Sequence, residues 1–351
     1  LVGSEMCIRD RITYDYLKGL GFSQIDVTGC PSLALNGPGL PLREKQPLTP
    51  ESKLCFTGSV SNPPDFKKFA VHCTERFPNT YFVPQFIDDL RLMYLGIPHP
   101  DTADSRVLHP TNLDHPVFVE DKARFFINLP SMFAFNREMD FNYGTRIHGA
   151  IGNILCGVPS LLFPTDARIR ELAEYHNIPA IPASAVTPDT DLAALYDQTD
   201  FRQVNNGHAE RFWHLIDFLN ENGIKTIYDD RTGTPARSLY DEKTAATSYA
   251  QPVHSMLVRP PEEIARRVDT AVRLQRKEIE DDSRLATQLR DSQRKVTQLQ
   301  ERNKKQDAQI QALKEERKAL KAELKATKKP LRRLAWYQRC LLYTSDAADD
   351  L

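Results

Sequence analysis

The chain has 351 residues, of which 46 are basic and 47 acidic, and this near balance of charge gives no reason to expect nucleic acid as the main partner. No stretch of about 18 consecutive apolar residues occurs, so the sequence predicts a soluble protein rather than a membrane-spanning one. The six cysteines are scattered without a CxxC pair, which is typical of reduced thiols in a cytoplasm and argues against a disulfide framework or a zinc site.

Both ends of the chain differ in character from the sequence between them. The opening LVGSEMCIRDR and the closing CLLYTSDAADDL resemble translated sequencing-adapter read-through. We therefore expect residues 1–9 and 341–351 to be artefacts and the gene to be cut at both ends. The opening stretch also lacks the basic start and the apolar core of a signal peptide.

The first predicted elements are a short helix and a strand. In DRITYDYLKGLGF the residues Ile12, Tyr16 and Leu20 have helical spacing, and QIDVTGCPSL is typical of a strand that enters a loop. A helix and a strand with no strand before them form the end of an α/β unit, so we expect further units upstream. The Pro- and Gly-rich segment that follows, LNGPGLPLREKQPLTP, is a linker by composition.

A longer alternation of strands and helices comes after this linker. The predicted strands are KLCFTGSVS, TYFVPQ, ARFFINLP, MDFNYG, SLLFP and PAIPA. The predicted helices are DFKKFAVHCTERF, about 148–156, DARIRELAEYH and about 205–222. Strands that alternate with short helices predict a parallel, doubly wound sheet, in which ligands bind outside the carboxyl ends of the strands.

The segment GTRIHGAIGNILCGVP, residues 144–159, lies at such a strand-to-helix crossing. Free backbone N–H groups at the start of the helix favour an anion, and Arg146 adds a guanidinium suited to phosphate or carboxylate. His148 can supply or remove a proton near neutral pH. The alternative is structural: Arg146 pairs with a buried acid, and His148 caps the helix.

The longer stretch GTRIHGAIGNILCGVPSLLFPTDARIRELAEYHNIP resembles the signature region of the polysaccharide pyruvyl transferases. The segments ITYDYLKGLGF and IDVTGCPSL are similar to the end of that family's N-terminal half. The resemblance implies an α/β fold with a glycosyltransferase-B-like pair of Rossmann-like domains, the first of them incomplete. It also implies an enzyme that transfers a pyruvyl group from phosphoenolpyruvate to a sugar of a cell-surface or exported polysaccharide precursor.

The same resemblance assigns roles to residues of the motif. Arg146, His148 and Gly149 would bind the donor, and His148 would be the catalytic residue, although its role as acid/base or as a binding group stays open. Four further residues after strand SLLFP would face the same cleft and contact donor or acceptor: Asp166, Arg168, Arg170 and Glu171. Neighbouring Arg and Glu on a helix also form plain surface ion pairs. Cys156, in an apolar helix, is interpreted as a core residue.

We expect no cofactor and no metal site. The segment HPDTADSRVLHPTNLDHP, residues 99–116, contains three His-Pro pairs, but the residue before a proline is held extended, so a surface loop is favoured over a metal cluster. Phosphoenolpyruvate would serve as a co-substrate, and a divalent ion is conceivable only as an exchangeable aid.

Heptad spacing of apolar residues begins near residue 264. The apolar positions are Leu285, Leu289, Val296, Leu299, Ile310, Leu313, Leu320 and Leu324, and the polar positions in the same seam are Ser292, Asn303, Gln306 and Arg317. The pattern predicts a coiled coil over residues 262–329, and Asn303 at an a position favours a parallel homodimer. Docking onto another glycan-assembly protein and a solvated single helix are the alternatives.

The predicted organisation has five parts between the two suspect ends. These are a remnant of an N-terminal Rossmann-like domain with its linker at 10–50, a C-terminal Rossmann-like domain at 51–228, a linker at 229–261, the coiled coil at 262–329 and a basic tail at 330–340. The tail, PLRRLAWYQR, could contact a membrane surface, so we expect a cytoplasmic protein that could lie at the inner face of the membrane.

Three functions fit these observations. The first is the pyruvyl transferase, which binds phosphoenolpyruvate and a saccharide or lipid-linked saccharide acceptor. The second is a glycosyltransferase of the same architecture, with Arg146 on the diphosphate of a nucleotide sugar and Glu171 on its ribose. The third is a non-catalytic scaffold whose coiled coil carries the function.

Overall fold

The computed structural model describes residues 6–100, 110–228 and 239–345. The chain divides into two compact units, Leu1–Val272 and Arg273–Leu351. Within the described residues the strands are β1 Met6–Ile8, β2 Ile25–Val27, β3 Leu54–Thr57, β4 Thr80–Phe82, β5 Phe141–Gly144 and β6 Ser160–Leu162.

The α-helices of the described residues number eleven, and most connect consecutive strands or cover the sheet. They are α1 Arg11–Gly19, α2 Pro64–Arg76, α3 Ile87–Leu95, α4 Pro116–Val119, α5 Leu129–Asn136, α6 Ile147–Leu155, α7 Ala167–Tyr175, α8 Leu192–Gln198, α9 His208–Glu221, α10 Leu239–Thr244 and α11 Pro261–Ser345. Short 3₁₀ helices occupy Pro31–Asn36, Ala183–Ala185, Phe201–Asn205 and Met256–Val258.

The strands form two parallel sheets. A two-stranded sheet pairs β1 with β2, and a four-stranded sheet has the order β4-β3-β5-β6. In the larger sheet, residues of β3 pair in register with β5 from Leu54 opposite Phe141 to Thr57 opposite Gly144. The prediction of a parallel α/β sheet is confirmed, whereas the pair of Rossmann-like domains stays a prediction.

Strands β3, β5 and β6 of the larger sheet are buried on both faces, as expected for a parallel sheet covered by helices. Phe141 and Tyr143 of β5 pack on one face with aromatic residues of α2, and Tyr196 of α8 joins them. On the other face, Leu162 of β6 packs with apolar residues of α6 and α7. This two-sided burial explains why these short strands are rich in apolar and aromatic residues and carry no charged side chain.

Two of the predicted strands are wrong. In ARFFINLP the pairing consists of two isolated bridges, a parallel one between Ala123 and Phe82 and an antiparallel one between Phe125 and Val253. Helix α5 begins soon after, at Leu129, because the Asn128 side chain caps it by accepting the Ser131 N–H. In PAIPA, the described pairing is a single bridge between Leu162 and Ala180. Prolines on both sides of that bridge lack the N–H that a longer ladder needs.

Parts of both chain ends that are predicted to be artefacts belong to a strand or a helix of the structure. Strand β1 lies within residues 1–9 and pairs along its whole length with β2. Residues 1–5 and 346–351 lie outside the described residues, and α11 continues through the predicted tail at 330–340 to Ser345. The origin of both ends from adapter read-through stays a prediction.

The predicted linker at 229–261 is only partly described. It contains α10 and the 3₁₀ helix at Met256–Val258, while residues 229–238 lie outside the described part. Beyond it, the first turns of α11, up to Val272, belong to the first unit. There the Arg267 guanidinium lies 4.1 Å from the centre of the Tyr94 ring, and Ala271 clusters with Leu95 and Ile97.

A glycine in α6 sets how closely this helix approaches the sheet. A Cβ added at Gly149 would lie 2.6 Å from Cγ2 of Thr57, which is buried at the end of β3. A Cβ at Gly152, one turn further along α6, would lie 2.9 Å from the flexible end of Met132 and at an ordinary contact distance of 3.5 Å from Nδ2 of Asn136. The absence of a side chain at Gly149 therefore lets α6 start directly against the sheet.

Replacing Gly149 by Ala is expected to destabilise the fold by about 1–3 kcal/mol, because the buried Thr57 cannot move away from the new methyl group. Gly152→Ala on the same helix is the matched control and should be neutral or stabilise by up to about 1 kcal/mol, since Ala favours helix over Gly. Urea denaturation of both variants gives the free energies of unfolding. Equal effects of the two substitutions would contradict the close contact at Gly149.

Candidate functional site

The strand order creates a crevice between β3 and β5. The chain leaves β3 through α2 to reach β4 on one side, and it leaves β5 through α6 to reach β6 on the other. The two connections diverge from neighbouring carboxyl ends, which is the topological switch point where open α/β sheets bind ligands. The Gly144–His148 segment begins at this point, because Gly144 ends β5 opposite Thr57.

Arg146 is held at this crevice by its backbone. The N–H groups of Thr145 and Arg146 both donate to the Thr57 carbonyl oxygen, at 2.9 and 3.2 Å, and Arg146 is the N-cap residue of α6. Its guanidinium lies 4.2 Å from the centre of the Phe86 ring, which follows β4 at the same edge of the sheet. The side chain is thus half-buried and stacked on an aromatic face.

The guanidinium of Arg146 is not neutralised by an ion pair. Among the described residues no carboxylate oxygen lies within 4.0 Å of its nitrogens. Burial, and after it the positive charge of Arg168, lower the pKa of Arg146, while the negative charges of Asp89 and Asp166 act in the opposite direction. The alternative in which Arg146 pairs with a buried acid is therefore not what the structure has, and the site favours an incoming anion.

His148 is the second residue of α6 and is exposed to a cleft of about 610 Å³. The cleft is lined by Ile8, Arg9, Asp10, Ile12, Thr13, Arg146, Ile147, His148, Ala167, Arg168, Ile169, Glu171 and Leu172. Its volume falls in the range of small-molecule sites. His148 does not cap α6 with its side chain, so the second structural alternative also fails.

The other predicted site residues divide between the cleft and its surroundings. Arg168 and Glu171 line the cleft. Asp166 caps α7 by accepting the Ile169 N–H at 2.8 Å, and Arg170 lies outside the lining, 3.9 Å from Glu174. Gly149 is buried against Thr57, as described above.

Two carboxylates meet at the rim of the cleft. Asp10 is buried and caps α1, where its oxygens accept the Thr13 N–H at 2.7 Å and the Thr13 hydroxyl at 2.9 Å. Desolvation, followed by the hydrogen bond and negative charge of Asp10, raises the pKa of Glu171. Sequence inspection missed Asp10 as a site residue, although Asp directly before a helix is a recognisable N-cap signal.

Cys30 is the cysteine that sequence inspection missed. Its Sγ lies 3.9 Å from Nε2 of His148. Burial acts to raise the pKa of this thiol, but hydrogen bonds with His148 and Ser32 outweigh it and lower the pKa to about 7. By contrast, Cys156 is buried in an apolar cluster, as predicted, and burial raises its pKa to about 11.

On its other side His148 borders an apolar cleft of about 710 Å³. The lining comes from the 3₁₀ helix at Pro31–Asn36, from α5 and α6, and from α9. Phe133, Ile151 and Phe212 are among its apolar side chains. His148 therefore stands between a charged cleft and an apolar one, where it can contact ligands from either side.

His176 at the end of α7 is a buried, neutral imidazole. It is 4% exposed, and its Nε2 accepts the Cys30 N–H at 2.8 Å. Burial, and then the positive charge of Arg211, lower the pKa of His176 to about 3. An unfolded His has a pKa of about 6.5, so between these two values only the unfolded chain binds the proton.

The stabilising contribution of neutral His176 is therefore present above about pH 6.5 and is lost as the pH falls, by up to about 1.4 kcal/mol per pH unit. We expect the free energy of unfolding to decrease between pH 7 and pH 5 by about 1–2 kcal/mol more in the wild type than in His176→Gln, whose amide can still accept the Cys30 N–H. Urea midpoints at the two pH values measure this difference. Parallel decreases would show that His176 does not carry the effect.

The described residues contain no group of three or more His, Cys, Asp or Glu side chains that could hold a metal ion. Of the three predicted His-Pro pairs, the one at 109–110 begins outside the described residues; His99 is buried with its Nε2 3.9 Å from Asp89, and His115 caps α4. None of the described helices is both long and apolar enough to cross a membrane.

Comparison with known proteins supports the predicted family. The model of the family described as polysaccharide pyruvyl transferase matches residues 6–167, which include the whole Gly144–His148 segment and the Cys30 turn. This match confirms the resemblance seen in the sequence. No curated protein matches the chain.

Two solved structures are similar to parts of the chain. The glycotransferase of kitacinnamycin shares 18% identity over 52% of this chain and 43% of its own, and the glycosyltransferase SnogD from Streptomyces nogalater shares 14% over 57% of each chain. Both have a TM-score of 0.26. The chain thus spans about half the length of the solved structures it matches.

Proposed function

We propose that this protein is a polysaccharide pyruvyl transferase, which transfers the pyruvyl group of phosphoenolpyruvate to a sugar of a cell-surface or exported polysaccharide precursor. The observation that carries the proposal is Arg146, a half-buried guanidinium without a carboxylate partner among the described residues, two positions before His148 at the switch point of the sheet. The family match over residues 6–167 includes this segment.

The chemistry of the donor suits these groups. Phosphoenolpyruvate carries a phosphate and a carboxylate, and a guanidinium binds either of them through two parallel hydrogen bonds. Arg146 would be the main donor-binding residue, and the exposed Arg168 on the facing rim would add a second positive charge. Backbone N–H groups at the start of α6 complete a site for an anion.

His148 would move the proton of the reaction. Transfer requires a proton on the terminal methylene carbon of the enol, a bond from a sugar hydroxyl oxygen to the neighbouring carbon, and loss of the hydroxyl proton. In a ketal, a second hydroxyl then displaces phosphate. An imidazole can both donate and accept a proton in such steps, and His148 is the imidazole that lines the cleft within the described residues.

The remaining predicted residues receive different roles in this proposal. Glu171 lines the cleft and would contact donor or acceptor. Asp166 and Arg170 would be structural, through the cap of α7 and the pair with Glu174. Gly149 would contribute by letting the start of α6 approach the sheet. No resident cofactor is needed for this chemistry.

The proposal extends to the architecture and the assembly. The β1–β2 sheet would belong to a first Rossmann-like domain and the four-stranded sheet to the second, in a glycosyltransferase-B-like pair.

In α11 the apolar seam residues from Leu285 to Leu324 are about half exposed or more, so a partner helix would bury them. We propose a parallel homodimer through this coiled coil, with Asn303 fixing its register.

Calorimetric titration of the chain with phosphoenolpyruvate, beside a titration with nucleotide diphosphate sugars, tests the proposal. We expect saturable binding of phosphoenolpyruvate and none of the nucleotide sugars. Release of inorganic phosphate in the presence of glycan acceptors would then report the transfer. Binding of a nucleotide sugar in place of phosphoenolpyruvate would overturn the proposal in favour of glycosyl transfer.

A further inference from the structure

The turn that follows β2, residues 27–31, is fastened to α7. Gly29 has a φ of 72°, and a Cβ there would lie 2.4 Å from Cε1 of Tyr175 and 2.5 Å from Nε2 of His176. The Tyr175 hydroxyl donates to the Val27 carbonyl oxygen at 3.0 Å, and the Cys30 N–H donates to His176 Nε2 at 2.8 Å. The backbone of this turn is therefore fixed against α7 from Val27 up to Cys30 itself.

This fixed turn brings a thiol to the ring of the candidate catalytic histidine. Cys30 Sγ lies 3.9 Å from His148 Nε2, across 118 positions of sequence. Among the described residues no other hydrogen bond to the His148 side chain is present. An imidazole with one nitrogen engaged in this way has its tautomer and its ring orientation set by that partner.

The thiol also differs chemically from the other described cysteines. Hydrogen bonds with His148 and Ser32 bring the pKa of Cys30 to about 7 against the opposing effect of burial. Burial raises the pKa of Cys55 to about 12 and raises that of Cys73 as well, since both lie in the core. The contact with an imidazole therefore sets the thiol of Cys30 apart from the core thiols of Cys55 and Cys73.

We propose that Cys30 is a positioning residue for the pyruvyl transfer: its sulfur engages Nε2 of His148 and so fixes which ring nitrogen faces the donor. The inference rests on the proposed function and adds a residue to it. Cys30 forms no bond to the substrate in this proposal. Its role is to hold the proton of His148 at one nitrogen and to keep the ring in the cleft.

Two substitutions and one control test this role. Cys30→Ala removes the partner of Nε2, and Cys30→Ser restores a hydrogen-bonding group at the same place. Cys156→Ala, in a cluster that does not include His148, is the control. We expect Cys30→Ala to lower kcat by about tenfold to a hundredfold with unchanged affinity for phosphoenolpyruvate, Cys30→Ser to recover part of the loss, and Cys156→Ala to leave both unchanged.

Nitrogen-15 NMR of the histidine rings detects the contact between Cys30 and His148 independently of enzyme activity. The His148 signals, assigned by their absence in His148→Gln, should report a different tautomer population in Cys30→Ala than in the wild type and Cys30→Ser. Unchanged His148 signals in folded Cys30→Ala would overturn the proposal, and so would changed signals with an unchanged kcat. Absence of phosphoenolpyruvate binding in the wild type would instead reject the proposed function and leave the thiol–imidazole contact standing.

Discussion

Replacing Arg146 by Ala is expected to weaken phosphoenolpyruvate binding by about 10²- to 10⁴-fold. The guanidinium would form two charge-assisted hydrogen bonds to the donor, each contributing about 1.5–3 kcal/mol. It is half-buried against Phe86 and has no carboxylate within ion-pair distance among the described residues, so no ion pair has to be broken when the ligand binds. Isothermal calorimetry at constant ionic strength measures the change, and the circular dichroism spectrum checks that the fold is kept.

Two further variants separate geometry from charge. Arg146→Lys keeps the charge but loses the planar fork, so its affinity should lie between those of the wild type and Arg146→Ala. Arg170→Ala is the matched control, because Arg170 also belongs to the motif yet lies outside the cleft lining and beside Glu174. An equal loss in Arg170→Ala would mean that binding follows net charge alone. Unchanged affinity in Arg146→Ala would remove the guanidinium from the donor site.

The parallel sheet and the position of Arg146 and His148 were predictable because their signals are local. The strands of the sheet are short apolar runs separated by helical patterns, as burial on both faces requires. Arg146 and His148 lie in one contiguous stretch where a strand ends and a helix starts. Strand order and helix-start chemistry together place such residues at a ligand-binding edge.

The neighbours of these two residues were not predictable in the same way. Cys30 reaches His148 only because Tyr175 and His176, on another helix, fasten the turn at Gly29. Such a contact depends on how two separated elements pack, and no spacing in a single sequence encodes it. The position of Phe86 was partly predictable. It follows strand β4, and because the carboxyl ends of parallel strands lie at one edge of the sheet, it could have been placed near Arg146.

The false strand at ARFFINLP shows an error of sequence-based assignment that better reading of local signals would have avoided. Apolar runs of four to eight residues suit a strand or a buried helix equally, and flanking residues decide between them. Asn128 and Pro130 after Phe126 and Ile127 form the start of α5, which is a signal of capping rather than of pairing. Capping signals therefore deserve more weight than apolar content in short segments.

Replacing His148 by Ala or Gln is expected to lower kcat by about 10²- to 10⁴-fold, the usual contribution of a general acid or base. The side chain is exposed in the cleft and contacts Cys30, so its removal should leave the free energy of unfolding almost unchanged. His214→Ala provides a control, since His214 is a partly exposed histidine paired with Asp26 at 3.0 Å and does not line the cleft. Phosphate release and calorimetry, run on the same preparations, give kcat and donor affinity separately.

The pair of substitutions also decides between the two roles of His148. Gln has a similar size and can form hydrogen bonds, but it cannot carry a proton from one substrate atom to another. An acid/base role predicts that Gln and Ala are equally inactive while donor affinity stays within a few-fold of the wild type. A binding role predicts that Gln retains kcat and that Ala loses affinity for phosphoenolpyruvate. Arg146 can hold the anion without help from His148, and no other imidazole lines this cleft within the described residues. We therefore expect the result of the acid/base role, in which the Gln and Ala variants are equally inactive and still bind phosphoenolpyruvate.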